Sequence, residues 1–343
     1  MQISQSRLDV FIGAVFLNLP LITIGLTTYN ALDSIEHCVA SALSQSWQPI
    51  EIVVVDDCST DGTFKFLKKL STKHQGIHVF INSSNSGVAV SRNRILEEAH
   101  GEFVVFFDDD DESLPDRISE QYKRITEYEK QFAKGAPVIC HTARKLIYPH
   151  GEVRLEQTMG QIEDRPAPSG PAVARRILLG EPLVDGYGAC PTCSQMARLS
   201  TYKLIGGFDP SFRRGEDTDF NIRLAQAGGH FVGIAEPLVI QTMTKTSEKS
   251  LRDEYNYMLR ILYKHREFIV QEGQFDFSLV WLDLKQAWLE NHRLTLVKLL
   301  FRLSFAHPVL TMRRLMFSLP NIGLNRAFSR FHNDTHDSKV TCK

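Results

Sequence analysis

Several signatures are missing from this 343-residue chain, and each absence removes a class of protein. No GxxxxGK[ST] loop is present, which argues against a P-loop nucleotide hydrolase. No GxGxxG follows the first apolar run and no HExxH occurs, so the dinucleotide fingerprint and the zinc-protease helix are both lacking. The six cysteines (Cys38, Cys58, Cys140, Cys190, Cys193 and Cys342) are too scattered for a disulfide framework. Cys190-Pro-Thr-Cys193 lacks the second pair a zinc site would need, so these thiols are expected reduced and packed. Net charge is only −1, which excludes a generally basic nucleic-acid binder. The longest apolar stretch, Val10 to Leu26, is interrupted by Asn18 and Pro20 and falls short of the roughly 20 residues a spanning helix needs. It reads as a core strand preceded by an apolar segment. A secretory signal is not apparent, because Arg7 is followed by Asp9.

Ordinary globular composition remains, 43% hydrophobic and 23% charged, with the charge unevenly distributed. From Gln241 onward there are 16 Lys and Arg against 10 Asp and Glu, so an acidic body carries a basic tail. In the body, β-branched runs alternate with helical patterns. Leu21–Leu26, Glu51–Val55, His78–Asn82 and Phe103–Phe107 read as strands. Ser34–Leu43, Thr63–Leu70 and Ala89–Ala99 read as helices between them. This predicts an α/β fold with a mostly parallel central sheet flanked by helices. A helix follows Pro115, and Val138–Ile147 is strand-like. The Pro-, Gly- and polar-rich stretch 149–171 reads as a long mobile loop over the site. Residues 173–179, 197–205 and 215–229 look helical. After Pro237 the alternation stops, and 248–330 reads as helices only. The expected division is a catalytic domain over 18–240 and a helical region over 241–343.

In open α/β sheets ligands bind beyond the carboxyl ends of the strands. Three such ends are polar here: Thr28-Tyr29-Asn30, Asp56-Asp57 and Asp108 to Asp111. Thr and Tyr can hydrogen-bond or stack a flat ring, and Asp can accept from a base N–H. Four adjacent carboxylates repel one another, and a hard divalent cation relieves that repulsion. Without a glycine-rich phosphate loop, this points to a metal-bound diphosphate. A solvated acidic turn capping the next helix is the plainer explanation of the same residues.

Three ordered blocks resemble the inverting family-two glycosyltransferases with the A-type nucleotide-diphospho-sugar fold. They are Ser41–Trp47 with Glu51–Thr63, Asn85–Asn93 through Gly101–Asp111 to Pro115, and Ile205–Pro210 with Gly215–Phe220, Arg223, Leu224 and Gly228. The resemblance spans roughly residues 20–240. It implies that Thr28, Tyr29 and the Asp56/Asp57 pair hold the base and ribose of a donor. It further implies that Asp108-x-Asp110 is the family's DxD, with Asp109 near the ribose and Asp110 on Mn²⁺ or Mg²⁺. Asp217 would be the catalytic base, although a helix N-cap suits its position too. Arg92 would help hold the diphosphate, with a surface salt bridge as the alternative. Cys58 stands where the family usually has Gly. The Gln-x-x-Arg-Trp motif of processive synthases is absent, which favours addition of a single sugar.

The resemblance thus implies a metal-dependent transferase moving one sugar from a nucleotide-diphospho-sugar, a UDP-sugar by family frequency, to a glycan or lipid-linked glycan. Two alternatives are a nucleotidyltransferase, which would normally carry a basic glycine-rich loop after the first strand, and an inactive sugar-nucleotide-binding module. No nucleic-acid partner is expected. Between Glu290 and Asp334 there is no acidic residue but seven basic ones, interleaved with Leu and Phe. Residues 291–333 are therefore expected to contact a membrane surface, placing the protein in the cytoplasm at the inner face of the membrane; a helical flap packed on the catalytic domain is the alternative.

Overall fold

The computed structural model describes residues 19–148, 151–243 and 251–318. The β-branched runs form the strands, because side chains buried on both faces leave the backbone ladder as the only outlet for its polar groups. In chain order these are β1 (Ile22–Thr28), β2 (Ile50–Asp56), β3 (Ile77–Ile81) and β4 (Phe103–Asp108). Helices α1 (Ile35–Leu43), α2 (Thr63–Ser71) and α3 (Val88–Glu98) connect them. Next come β5 (Asp111–Ser113), α4 (Arg117–Tyr128), β6 (Val138–Ile147), β7 (Val153–Glu156) and α5 (Pro171–Leu179). They are followed by β8 (Gln195–Arg198), α6 (Leu199–Ile205), α7 (Glu216–Gln226) and β9 (His230–Thr242).

All nine strands share one sheet in the order β3-β2-β1-β4-β8-β6-β9-β5, with β7 paired to β6. It is parallel from β3 to β4 and mixed beyond. Alternation along β4 divides the core. Phe103, Val105 and Phe107 join the cluster containing Ile22, Ile24, Leu26 and Ile118. Phe106 points the other way, edge-on to Tyr202 and Phe208. At the end of the sheet away from the acidic run, the buried Glu51 carboxylate accepts from Thr23 Oγ1 (2.6 Å) and His100 N (2.7 Å), pinning the turn into β4.

The chain divides into two compact units. The first runs to Gly170 and resumes over Val184–Met243, and the second combines Pro171–Leu183 with the chain from Thr244 onward. The second is helical: α5, α8 (Leu251–Lys264), α9 (Arg266–Gln271), α10 (Phe275–Leu289), α11 (Arg293–Ala306) and α12 (Pro308–Ser318). Its core gathers Phe277, Val280, Leu284 and Leu303. Compared with a cut at 240/241, the insertion Pro171–Leu183 moves to the helical unit.

Three local expectations are corrected. The alternation does not stop at Pro237: β9 runs through it, and the register against β6 shifts between Thr142 and Ala143, so the residue without an N–H sits at an irregularity of the ladder. Residues 197 and 198, expected to open a helix, instead end β8, which lies between β4 and β6. The expected loop 149–171 carries β7 and the buried Thr158, Met159 and Ala167. Residues 10–18 of the apolar segment and 319–333 of the basic tail lie outside the described residues.

Candidate active site

The parallel strands β1, β2 and β4 deliver their polar ends to one edge of the sheet. Thr28 lies in register with Asp56, and Thr27 with Asp108. The backbone N–H of Tyr29 donates to Asp109 Oδ2 at 3.2 Å, tying the end of β1 to the acidic run, while the Tyr29 side chain stays exposed. Asp56 and Asp57 are both buried and do different work. Asp57 accepts from Asn82 Nδ2 (2.8 Å), Ser86 N (3.0 Å) and Gly87 N (2.8 Å), which uses both its oxygens to hold the loop before α3. Asp56 accepts from Ser59 N through Oδ1 (2.7 Å) and leaves Oδ2 without a partner. Cys58 takes a left-handed conformation (φ 69°), the geometry that favours glycine.

Arg92 on α3 is buried and bridges two carboxylates: Nη1 donates to Glu216 Oε1 at 2.5 Å and Nη2 to Asp108 Oδ1 at 3.1 Å. Its guanidinium lies within 6 Å of the Phe106 and Phe208 ring centres. This single side chain couples the end of β4 to the first turn of α7. Gly215 occupies the N-cap position of α7, so Asp217 is not the cap. The half-buried Asp217 carboxylate accepts from Thr218 N (2.6 Å) within that first turn, where the helix dipole favours a negative charge. Burial pushes the Glu216 carboxyl up to about 7, with Arg92 pulling the other way.

Two members of the acidic run are pushed toward their neutral forms. Burial, helped by Asp110 and Asp108, pushes Asp109 up to about 7. Burial, helped by Asp108 and Asp110, pushes Asp111 up to about 9 against the pull of Arg144. Neither Asp111 oxygen has a hydrogen-bond partner. Ligand atoms of Asp108, Asp111 and Cys193 lie within 4.8 Å of one another. Burial drives the Cys193 thiol well above its ordinary pKa, and Arg144 Nη1 lies 3.4 Å from its sulfur. A protonated thiol beside a guanidinium is a poor metal ligand. The fit to a hard divalent cation therefore rests on the carboxylates, whose crowding such an ion relieves. Asp110 is half-buried and is not among those three residues.

Thr28, Tyr29, Asp56, Asp57, Asp108 and Asp109 thus converge at the strand ends, and Arg92 links α7 and Asp217 to them. As for the alternatives open in the sequence, Arg92 is not a surface salt bridge. Sequence reasoning gave no role to Glu216 or Arg144, and took Asp111 only as one of four crowded carboxylates or a helix cap. Adjacency to Asp217 could have flagged Glu216. For Arg144, the signal was the adjacent cations Arg144 and Lys145 in the otherwise strand-like Val138–Ile147.

The order of strands, with the acidic run after the fourth, defines the A-type nucleotide-sugar transferase architecture. In keeping with this, the structure resembles S. aureus TarS 1-349 (TM-score 0.56, 20% identity, covering 94% of this chain and 92% of that one). The complex of TarS 1-349 with UDP-GlcNAc superposes with a TM-score of 0.53 at 18% identity, covering 92% of each chain. Residues 23–185 match the family model described as "Glycosyl transferase family 2". "Putative teichuronic acid biosynthesis glycosyltransferase TuaG" of Bacillus subtilis is 41% identical over 140 residues, 38% of this chain and 56% of that protein. The Escherichia coli "UDP-Glc:alpha-D-GlcNAc-diphosphoundecaprenol beta-1,3-glucosyltransferase WfaP" is 38% identical over 112 residues, 33% of this chain and 43% of that protein. The chain thus spans about half the length of these relatives.

Proposed function

We propose that the chain is a metal-dependent, inverting glycosyltransferase that moves one sugar from a nucleotide-diphospho-sugar, a UDP-sugar in this reading, to a hydroxyl of a glycan or lipid-linked glycan. The observation that carries this reading is the Arg92 bridge, which joins the acidic end of β4 to the helix turn bearing Asp217. Thr28, Tyr29 and the Asp56/Asp57 pair hold the base and ribose; of the pair, Asp56 keeps an unused acceptor oxygen. Asp109 lies near the ribose, and Asp110 with its acidic neighbours holds Mn²⁺ or Mg²⁺. When bound, the metal neutralises charge developing on the leaving diphosphate. Asp217 takes the proton of the acceptor hydroxyl as that oxygen attacks the anomeric carbon opposite the diphosphate. One displacement inverts the configuration, so no covalent sugar–enzyme intermediate is required. Arg92 acts by positioning Asp108 and the first turn of α7.

The names of TuaG and WfaP support an envelope-glycan acceptor, and that of WfaP a lipid-linked one. The reaction is then met at the inner face of the membrane, with the basic segment 291–333 as the membrane contact. Among the described residues no helix is long and apolar enough to cross a bilayer. Asp217→Asn tests the assignment. It should lower turnover by roughly 10²–10⁴-fold while donor binding, measured by calorimetry, stays near wild type. Retention of more than about a tenth of wild-type turnover contradicts the role of Asp217 as base.

A further inference from the structure

Helix α11 has two apolar faces, and the fold uses only one of them. Leu303 is buried, and Leu296, Leu299 and Leu300 pack against the helical unit's own core around Phe277 and Leu284. On the opposite side, Leu294, Val297, Phe301 and Phe305 are 65–84% exposed. At 3.6 residues per turn these four fall in a sector of about 80°. Lys298 and Arg302 border that sector on one side and Arg293 on the other. Helix α12 repeats the pattern. Val309, Met312 and Met316 are 59–77% exposed and share a sector of about 60°, with Arg313 at its edge. Isolated exposed apolar residues need no explanation, whereas two consecutive helices that each carry an exposed apolar stripe do.

We infer that the exposed faces of α11 and α12 form an interfacial anchor, lying flat on an anionic phospholipid bilayer with Leu294, Val297, Phe301, Phe305, Val309, Met312 and Met316 dipped among the acyl chains. The charge pattern selects this occupant. From Asn291 to Ser318 there is no acidic residue, and the stripe is rimmed by Arg293, Lys298, Arg302 and Arg313. Long basic side chains can reach lipid phosphates while their stems stay beside the apolar surface. A second copy of this chain would set the two basic rims against each other, which like-charge repulsion opposes. At 1.5 Å per residue, the 14 residues of α11 extend about 21 Å, too short to cross a core of about 30 Å. Pro308 at the start of α12 divides the two pieces. The inference specifies the surface for the membrane contact proposed above and rests on that reading for its purpose.

The test is co-sedimentation of the full chain with vesicles of pure phosphatidylcholine or of phosphatidylcholine with phosphatidylglycerol, together with metal-dependent nucleoside-diphosphate release in vesicle-free solution. The wild type should partition to the anionic vesicles at least about tenfold more strongly, and raised salt should weaken it. Phe301→Ser with Phe305→Ser, both exposed and outside the core, should lose about tenfold or more in partitioning. That variant should keep the wild-type melting temperature and solution turnover. Replacing Arg293, Lys298 and Arg302 together by Gln should abolish the preference for anionic vesicles. Equal partitioning of wild type and the Phe variant would overturn the inference. So would a wild-type oligomer, seen by sedimentation without lipid, that the Phe variant dissolves. Failure of turnover in solution with intact partitioning would instead strike the donor-site reading alone.

Discussion

Replacing Arg92 by methionine keeps an unbranched side chain among the aromatic rings and removes the bridge between Glu216 and Asp108. Asp108 is partly exposed, so water can take over its charge. Glu216 is buried and would be left with an uncompensated carboxylate. Breaking a buried ion pair by deleting one partner costs about 3–5 kcal/mol. For a unit of roughly 150–250 residues this is a fall of about 6–20 °C in the melting temperature. Protonation of Glu216, already eased by burial, brings the loss toward the lower end. Adding Glu216→Gln removes the stranded charge, so the double variant should regain at least about half the loss, a clear departure from additivity. Turnover should not return with stability, because the first turn of α7 is still untied from Asp108. Thermal melts of the wild type, both single variants and the double variant, each paired with a turnover assay, provide the cycle. A single-variant shift below about 2 °C, or a double variant equal to the sum of the singles, refutes the bridge as described.

Asp57→Ala removes the acceptor for Asn82, Ser86 and Gly87 and should cost at least about 3 kcal/mol; hydrogen exchange at the Ser86 and Gly87 amides should accelerate, and unchanged protection would contradict the loop-holding role. Burial, together with the nearby Arg144 and Arg117, lowers the His141 pKa to about 3. The folded pKa is depressed, so its contribution is complete above about pH 6.5 and is lost as pH falls toward 3, by at most about 1.4 kcal/mol per unit. His141→Asn should flatten the melting temperature against pH between about 6.5 and 4; an unaltered slope would contradict this. Asp110→Ala should weaken metal and donor binding together in paired titrations, and loss of one without the other would show that they are not linked through that carboxylate.

The first four strands were legible because each is a continuous β-branched run ending in polar residues, a pattern with few other uses. The site residues on those ends were legible for the same reason: Asp56, Asp57 and Asp108 terminate strands whose register the apolar run already defines. Beyond β6 the signals conflict. Pro237 reads as a breaker, yet the sheet accommodates it at an irregularity between β6 and β9. Four residues of β8 run directly into α6, so one apolar pattern covers two conformations. Arg144 and Glu216 were hidden by the habit of reading charged residues as surface, whereas both are buried beside charges of opposite sign. The placement of Pro171–Leu183 with the helical unit depends on contacts with residues distant in sequence, which local patterning does not record.

The central claim is metal-dependent sugar transfer from a nucleotide-diphospho-sugar, and the most direct measurement is nucleoside-diphosphate release from a panel of UDP-, GDP- and dTDP-sugars with Mn²⁺ or Mg²⁺, with and without EDTA. The account predicts UDP release from at least one UDP-sugar, abolished by EDTA and reduced at least about a hundredfold in Asp217→Asn. Release of pyrophosphate in place of a nucleoside diphosphate, turnover unchanged by EDTA, or no release from any donor in the panel would contradict it.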